Sequence, residues 1–437
     1  MSENKKTIKI DVIITVTFLS FIYGIFIMQI CKQDRFFSDT ERRILEQRPE
    51  PSWKRILQGT YQTDYETYLT DQFAFRDFWV RTKGLTEYLS GKQENHGIYY
   101  GKEGYLMETL TEIDEGKLKK NVDAILSFQD NLQSSQSRDR AQSHQEKSDL
   151  WETGLSVKLC VGLIPGSTSI NRDKLPENLP EVDQQEQIHK IYQQLSKQGI
   201  TCIPVSEKLL QHKEEALFYR TDHHWTSLGA YYGYEAWSEA VQDIAMRDTI
   251  TQGGMQATIT RDGMKTESDK VKPDKAEPDK TWAAKLESGS FYGTLYDRAG
   301  TFWIPPDHIL SYVPEEGIRV ERLESRGWEQ GKLYDREKLQ GRDQYAMFLG
   351  GNGPLVHISS DKGEGKLLVI RDSYMDSLAP FLTADYEDIY LMDPRYYRGS
   401  AWDFIRENKI TQVWICYSFK NFTEDTNLPY VLRTMYP

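Results

Sequence analysis

Cysteine is scarce in this chain: 437 residues hold four, Cys31, Cys160, Cys202 and Cys416. No two of them form a CxxC pair, which excludes a disulfide framework and a thiol-based zinc or redox site. The last three sit in apolar, strand-like runs, where a buried thiol is the ordinary state. HExxH is missing too, and His212, His308 and His357 have no metal-ligand spacing. Basic residues are in deficit, 54 Lys and Arg against 66 Asp and Glu, for a net charge of −12. A nucleic-acid binder needs a basic footprint to displace phosphate counterions, and a helix that reads anionic lipid needs a basic face, so neither class is expected.

Long apolar runs are also rare, and the exception is informative. Val12 to Cys31 reads VIITVTFLSFIYGIFIMQIC, 20 residues without a formal charge. That length crosses a hydrocarbon core of roughly 30 Å. It exceeds the roughly 7–15 apolar residues of a signal peptide, and no A-x-A-like cleavage site follows. The expectation is a retained transmembrane helix over 12–31 and a short cytoplasmic tail over 1–11 carrying Lys5, Lys6 and Lys9. The bulk of the chain then lies outside the cytoplasm, at the cell membrane. Residues 1–35 hold five basic and three acidic side chains, a net of +2, which leaves −14 for residues 36–437.

Beyond the span, residues 36–130 read as a polar, aromatic-rich N-terminal extension packed on the main domain, with Leu118, Val122, Ile125 and Leu132 near one helical face. Residues 131–150 turn almost wholly polar and read as an insertion. From residue 156 the rhythm alternates. The apolar runs SVKLCVGLI, ITCIPV, KLLVI, DIYLM and QVWIC are separated by helix-length gaps, among them 187–198 and the stretch after Thr226. This predicts an α/β fold over 156–437 with a mostly parallel sheet and helices on both faces. A second polar insertion, about 246–285, contains KPDKAEPDK and buries nothing.

Parallel sheets place ligands at the carboxyl ends of their strands, and two segments there carry reactive residue types. In KLLVIRDSY a strand ends at Ser373 before a helix predicted from about Asp376. Such a serine can present its hydroxyl above the sheet while its own N–H faces a developing oxyanion, or it can simply cap the helix. In YRTDHHWT, residues two apart on extended chain share a face, so Asp222 and His224 point together and His223 points away. Asp222 can then orient His224 as the base that a serine nucleophile needs. Metal ligation by Asp-His-His is the rival reading, against which adjacent ligands on a strand diverge; a merely structural histidine is the third.

At this point the sequence shows a family resemblance. TDHHWT resembles the signature of the DHHW family of bacterial, membrane-anchored proteins, and the D-x-H-W block of the alginate O-acetyltransferases of the SGNH-like hydrolase superfamily. YLTDQFAFRD, GIYYGKEGYL, FYRTDHHWTSLGAYYGYEAW, DQYAMFLGGN, LLVIRDSYMDSLAPFL and DPRYY fall in the order expected of a DHHW protein. The resemblance implies a three-layer SGNH-like domain whose triad is Asp222, His224 and Ser373, permuted relative to ordinary SGNH hydrolases. Arg371 stands where the glycine of the GDS block would be. Gly351 and Asn352 are candidates to join the Ser373 N–H in an oxyanion hole, or are part of a turn only. Trp225, Arg395 and Tyr396 are candidates for substrate contact, with a strand-end salt bridge as the alternative for Arg395.

The implied activity is transfer or removal of an acyl group, acetyl above all, on a cell-envelope polysaccharide, with no cofactor and no metal. An acyl donor outside the cell implies a multi-spanning membrane acyltransferase as partner. The alternative is a catalytically inactive glycan-binding or assembly protein, which Arg371 and the many Tyr and Trp side chains would suit.

Overall fold

A computed structural model describes residues 2–38, 43–142, 157–177, 179–252 and 282–433. The chain divides into two compact units, Met1–His96 with Tyr296–Ile304, and Gly97–Leu295 with Pro305–Pro437. Residues from Gly97 onward belong to the larger unit, and a short later segment joins the smaller one.

The smaller unit holds the apolar N-terminal helix α1 (Ser2–Cys31), α2 (Thr60–Asp71) and α3 (Arg76–Leu89). Over Ile10–Cys31 α1 has a mean hydropathy of 2.2 with none of that window buried, and it is long and apolar enough to cross a membrane.

The larger unit is built on an eight-stranded sheet. In chain order its strands are β1 (Lys158–Ile164), β2 (Thr201–Cys202), β3 (Ile318–Glu324), β4 (Gly327–Gln330), β5 (Leu355–Ser360), β6 (Lys366–Arg371), β7 (Asp388–Met392) and β8 (Gln412–Ser418). They lie side by side as β4-β3-β5-β7-β6-β8-β1-β2. The five from β7 to β2 are parallel, and β5, β3 and β4 extend that edge antiparallel. Alternate residues of the parallel strands feed two cores. Leu159, Val161, Leu368, Ile370 and Val413 face one side with α4 (Glu115–Gln142), α5 (Gln184–Ser196) and α7 (Ala401–Asn408). Cys160, Leu367, Val369, Trp414 and Cys416 face the other, under helices Ser227–Gln252 and Met375–Leu382. A strand covered on both faces must be apolar throughout, which is why the runs of β1, β6, β7 and β8 stand out in the sequence.

Described structure reaches into both stretches expected as polar insertions. Helix α4 buries Leu118, Val122, Ile125, Phe128 and Leu132 and continues to Gln142. Its polar end, QDNLQSSQSRDRAQ, contains no Gly or Pro to stop it. The helix from Ser227 likewise runs through Gln252. At the far end of the second stretch Trp282 packs on Phe381, ring centroids 5.3 Å apart, and Lys285 opens a strand, so these residues are part of the fold. Residues 143–156 and 253–281, where the rest of the two expected insertions falls, lie outside the described residues.

Candidate active site

Strand β6 ends at Arg371 and the helix above it, α6 in the sheet-facing layer (Met375–Leu382), leaves Asp372, Ser373 and Tyr374 to make the turn at the carboxyl end of a central strand. Asp372 fixes that turn. One carboxylate oxygen accepts from Tyr374 N (3.1 Å), and the other from Ser418 N (2.9 Å) and Ser418 Oγ (2.7 Å) at the end of β8 and from Asn421 Nδ2 (2.7 Å) just beyond it. No side chain caps the helix. The Ser373 hydroxyl lies instead 2.9 Å from His224 Nε2.

His224 comes from a hairpin tip. Phe218 and Trp225 form an isolated antiparallel bridge, with Tyr219 N donating to His224 O (3.2 Å) and Thr226 N to Leu217 O (2.9 Å). The Asp307 carboxylate pins the tip from the side, accepting from Arg220 N (3.1 Å), Thr221 N (2.8 Å) and Thr221 Oγ1 (2.6 Å). Inside it, Asp222 Oδ1 accepts from His224 N (3.1 Å) and His224 Nδ1 (2.5 Å). Asp222 and His224 therefore meet through a bend, where the spacing argument had assumed an extended strand. A bend does not alternate sides, so His223 is not turned away. Its ring lies over His224 with centroids 3.9 Å apart, and its Nδ1 is 2.9 Å from Thr294 Oγ1.

The proton positions follow from donor counting. Asp222 is an acceptor only, so His224 Nδ1 carries the proton and Nε2 is left to accept from Ser373. Thr294 gives its hydroxyl hydrogen to Asp222 Oδ2 (3.0 Å) and its N–H to the same oxygen (2.7 Å), so His223 Nδ1 donates to Thr294. Burial alone would raise the Asp222 pKa. The fields of His223 and His224, with hydrogen bonds from His224 and Thr294, outweigh it and hold the carboxyl well below the ordinary carboxylate range. Burial and then the neighbouring His224 ring push His223 down to about 4. Gly293 packs on this carboxylate so closely that a Cβ there would fall 2.2 Å from Asp222 Cβ.

Asp222, His223 and His224 also bring ligand atoms within 4.8 Å of one another, the constellation of the metal reading. Three of the ring nitrogens already have protonic partners: His224 Nε2 faces Ser373, His224 Nδ1 Asp222, and His223 Nδ1 Thr294. A cation at those three nitrogens would have to break these bonds.

The other expected residues separate. Trp225 is wholly buried, its indole N–H donating to Tyr374 O (2.9 Å) and Ser377 Oγ (3.0 Å). This corrects its reading as a substrate contact: it ties the hairpin to the serine helix. Gly351 donates its N–H to Phe348 O (3.2 Å), as a turn residue does, and its carbonyl accepts from Arg322 (2.9 Å). Asn352 Oδ1 accepts from Arg395 Nη2 at 3.3 Å. Arg395 forms a two-point salt bridge with Asp393, 2.9 and 2.6 Å, the alternative foreseen for it, and Tyr396 is half exposed beside it.

Two residues of the site, Thr294 and Asp307, had no local signal in the sequence, and a third, Tyr345, lies in the DQYAMFLGGN block with nothing to mark its place. The Tyr345 ring lies flat on His224, centroids 3.8 Å apart and planes 10° apart, and its hydroxyl reaches Ser373 O and Ser377 Oγ, both at 3.1 Å.

Arg371, the departure from the glycine of the GDS block, is wholly buried, 2.9 Å from Asp376 Oδ1 and 3.9 Å from Asp393 Oδ2. Burial pushes Asp376 up to about 6 even beside this cation. Arg371→Ala should leave both carboxyls buried without it and lower stability by about 3–5 kcal/mol, read as a fall in Tm or denaturant midpoint. An unchanged midpoint would show that the pair contributes nothing.

Residues 126–273, about a third of the chain, match the family model described as the SGNH hydrolase-like domain of acetyltransferase AlgX. The match takes in Asp222 and His224 and ends before Ser373. Among solved structures, a DHHW family protein from Eubacterium siraeum has a TM-score of 0.51 at 20% identity, over 77% of this chain and 95% of that one. Bacillus cereus PatB1, in a structure with a sulfonyl adduct, has a TM-score of 0.53 at 18% identity, over 77% of this chain and 98% of that one. A search of curated proteins gives no match. At these identities the likeness is one of fold. The chain is similar to the DHHW and AlgX proteins in the way its sequence motifs suggest.

Proposed function

We propose, from the premise of an SGNH hydrolase-like domain similar to that of acetyltransferase AlgX, that this protein moves acetyl groups on a cell-envelope polysaccharide through Ser373, His224 and Asp222. The observation that carries this reading is the hydrogen-bonded row Asp222–His224–Ser373, 2.5 and 2.9 Å, at the carboxyl end of a central parallel strand. In the first step Ser373 Oγ attacks the acyl carbonyl as His224 Nε2 takes its proton. The protonated imidazole, held by Asp222, then gives that proton to the leaving alcohol. A sugar hydroxyl or water completes the cycle by attacking the acyl-serine, with His224 again the base. The Ser373 N–H is the donor best placed by chain position to meet the oxyanion. Gly351 and Asn352 could join it only by giving up the turn bond and the Arg395 contact described above.

The reading of α1 as a retained anchor is supported by the way its last turn and the residue after it are bonded into the folded unit: Gln29 and Lys32 both donate to Gln72 O, at 2.8 and 2.9 Å. A cleaved leader has no need of such bonds. An acyl donor on the outer side of the membrane calls for a multi-spanning acyltransferase partner.

The test is to incubate the full chain in detergent with a small acetyl ester, then with an acetylated glycan and an unacetylated acceptor. Expected are turnover, an acetyl adduct on Ser373 by peptide mass spectrometry, and acetyl on the acceptor. Folded protein that gives no adduct and binds the glycan would place it in the inactive, glycan-binding class.

Tyr345 provides a graded prediction. Tyr345→Phe keeps the ring on His224 and should lower kcat/KM by less than about 10-fold, whereas Tyr345→Ala should cost about 10²-fold and about 3–5 kcal/mol of stability. Equal losses in both variants would assign the effect to the hydroxyl and not to the stacked ring.

A further inference from the structure

The block YLTDQFAFRD is unused by the chemistry above, yet it is bonded to the exit of the apolar helix. Gln29 lies two residues before the end of the apolar window Ile10–Cys31. Its amide donates to Gln72 O (2.8 Å) and accepts from Ala74 N (2.8 Å). One turn further, Lys32 Nζ donates to Gln72 O (2.9 Å), Arg35 N donates to Gln72 Oε1 (2.9 Å), and Gln72 Nε2 returns a bond to Arg35 O (2.7 Å). Arg35 also pairs with Asp77 at 2.9 Å. The backbone of residues 72–74 is thus held level with the last turn of the span, the depth at which acyl chains give way to headgroups.

The side chains presented at that level are aromatic and uncovered: Phe73 is 41% exposed, Phe75 59%, Phe78 59% and Trp79 36%. Phe75 stands at the N-cap of α3 with φ of 58° and no side-chain cap bond. That backbone region is strained for a bulky residue and is retained where something rewards it. Trp79 donates its indole N–H to Ala74 O (3.1 Å) and meets Phe78 edge-on, centroids 5.2 Å apart, so its polar atom is satisfied within the chain. Exposed aromatic rings, Trp79 among them, clustered with Lys32, Arg35 and Arg76 where a membrane helix emerges are the kind of surface that sits at a membrane interface.

Resting on the anchor reading of α1, we infer that Phe73–Trp79 is an interfacial wedge that seats the N-terminal unit in the outer leaflet, its occupant being phospholipid. The wedge is continuous with the span and clasped to it by the Gln29 amide, which fixes its depth. A second copy of the chain or the acyltransferase partner would cover the rings without bringing them among acyl chains.

The test uses the full chain in nanodiscs of phosphatidylcholine and phosphatidylglycerol, with an environment-sensitive fluorophore on a cysteine. Cys31 is exposed, at the end of the span, and serves as the anchor probe, while Cys160 and Cys416 are buried and the half-buried Cys202 is changed to Ser throughout. The wedge probe is Phe75→Cys in a Cys31→Ser background, with Cys31→Ser alone as the labelling blank. Lipids carrying a quenching doxyl group near the headgroup end of the acyl chain should quench both probes, and both emissions should shift to the blue. Quenching at Cys31 but not at position 75 overturns the wedge while leaving the anchor standing. A blue shift at position 75 without lipid quenching also overturns it, assigning the rings to a protein partner. Quenching at neither probe removes the anchor reading and the wedge with it.

Discussion

Ser373→Ala is expected to abolish acetyl-ester turnover, a loss on the order of 10⁴-fold or more in kcat, with the fold intact. The size of the effect follows from the role: without the hydroxyl there is no acyl acceptor, and His224 and Asp222 have nothing to activate. The small structural effect follows from the geometry. Ser373 Oγ has one partner, His224 Nε2, and plays no part in capping the helix behind it, so its removal should cost about 1 kcal/mol. A helix-cap role would give a similar stability change, so stability does not separate the two readings. Covalent labelling does. A sulfonyl fluoride should modify Ser373 in the native protein and nothing at that peptide in the variant. His224→Ala should lose as much as Ser373→Ala, and the double variant no more than either, because the row acts as a unit. Additive losses would mean that the two residues serve separate ends.

What the sequence disclosed and what it hid have different physical origins. Of the parallel strands, β2 is a two-residue, half-buried edge strand, and the other four, β1, β6, β7 and β8, were legible because burial on both faces makes each an unbroken apolar run, as in KLLVI and QVWIC. Strands β3 and β4, IRVERLE and GWEQ, were not: they lie at the antiparallel edge, half exposed, where charge is tolerated and alternation is blurred. Asp222 and His224 were legible as a pair from their spacing, although the fold joins them by a bend that also keeps His223 in the group. Thr294 and Asp307 bind the same tip from 72 and 86 residues away, and no local pattern announces such partners. Trp225 was misread because an aromatic beside a catalytic motif looks alike in sequence whether it faces substrate or core. Only the burial of its indole between Tyr374 and Ser377 decides.

The Asp222→Asn variant tests the orienting role with almost no change of volume. Asp222 accepts at both oxygens: His224 N and Nδ1 at one, Thr294 N and Oγ1 at the other. An asparagine has one oxygen to offer, and its NH₂ must face a backbone N–H on either side. The bond from Thr294 N is the shorter, 2.7 against 3.1 Å for His224 N, so the oxygen should stay with Thr294 and the NH₂ should turn to the histidine. His224 Nδ1 must then accept, which moves its proton to Nε2, where it faces Ser373 and blocks base catalysis. The expected loss is on the order of 10⁴-fold in kcat, and nitrogen-15 NMR of His224 should find the proton on Nε2. Stability carries a second signature. Because the folded Asp222 pKa lies well below its unfolded value, its ionised form contributes stability above pH about 4 that disappears as pH falls through the folded value. The stability gap between native protein and variant should therefore be full at pH 7 and shrink below pH about 4. A variant that keeps the native rate with its proton on Nδ1, or a gap independent of pH, would show that Asp222 neither orients His224 nor is held ionised by it.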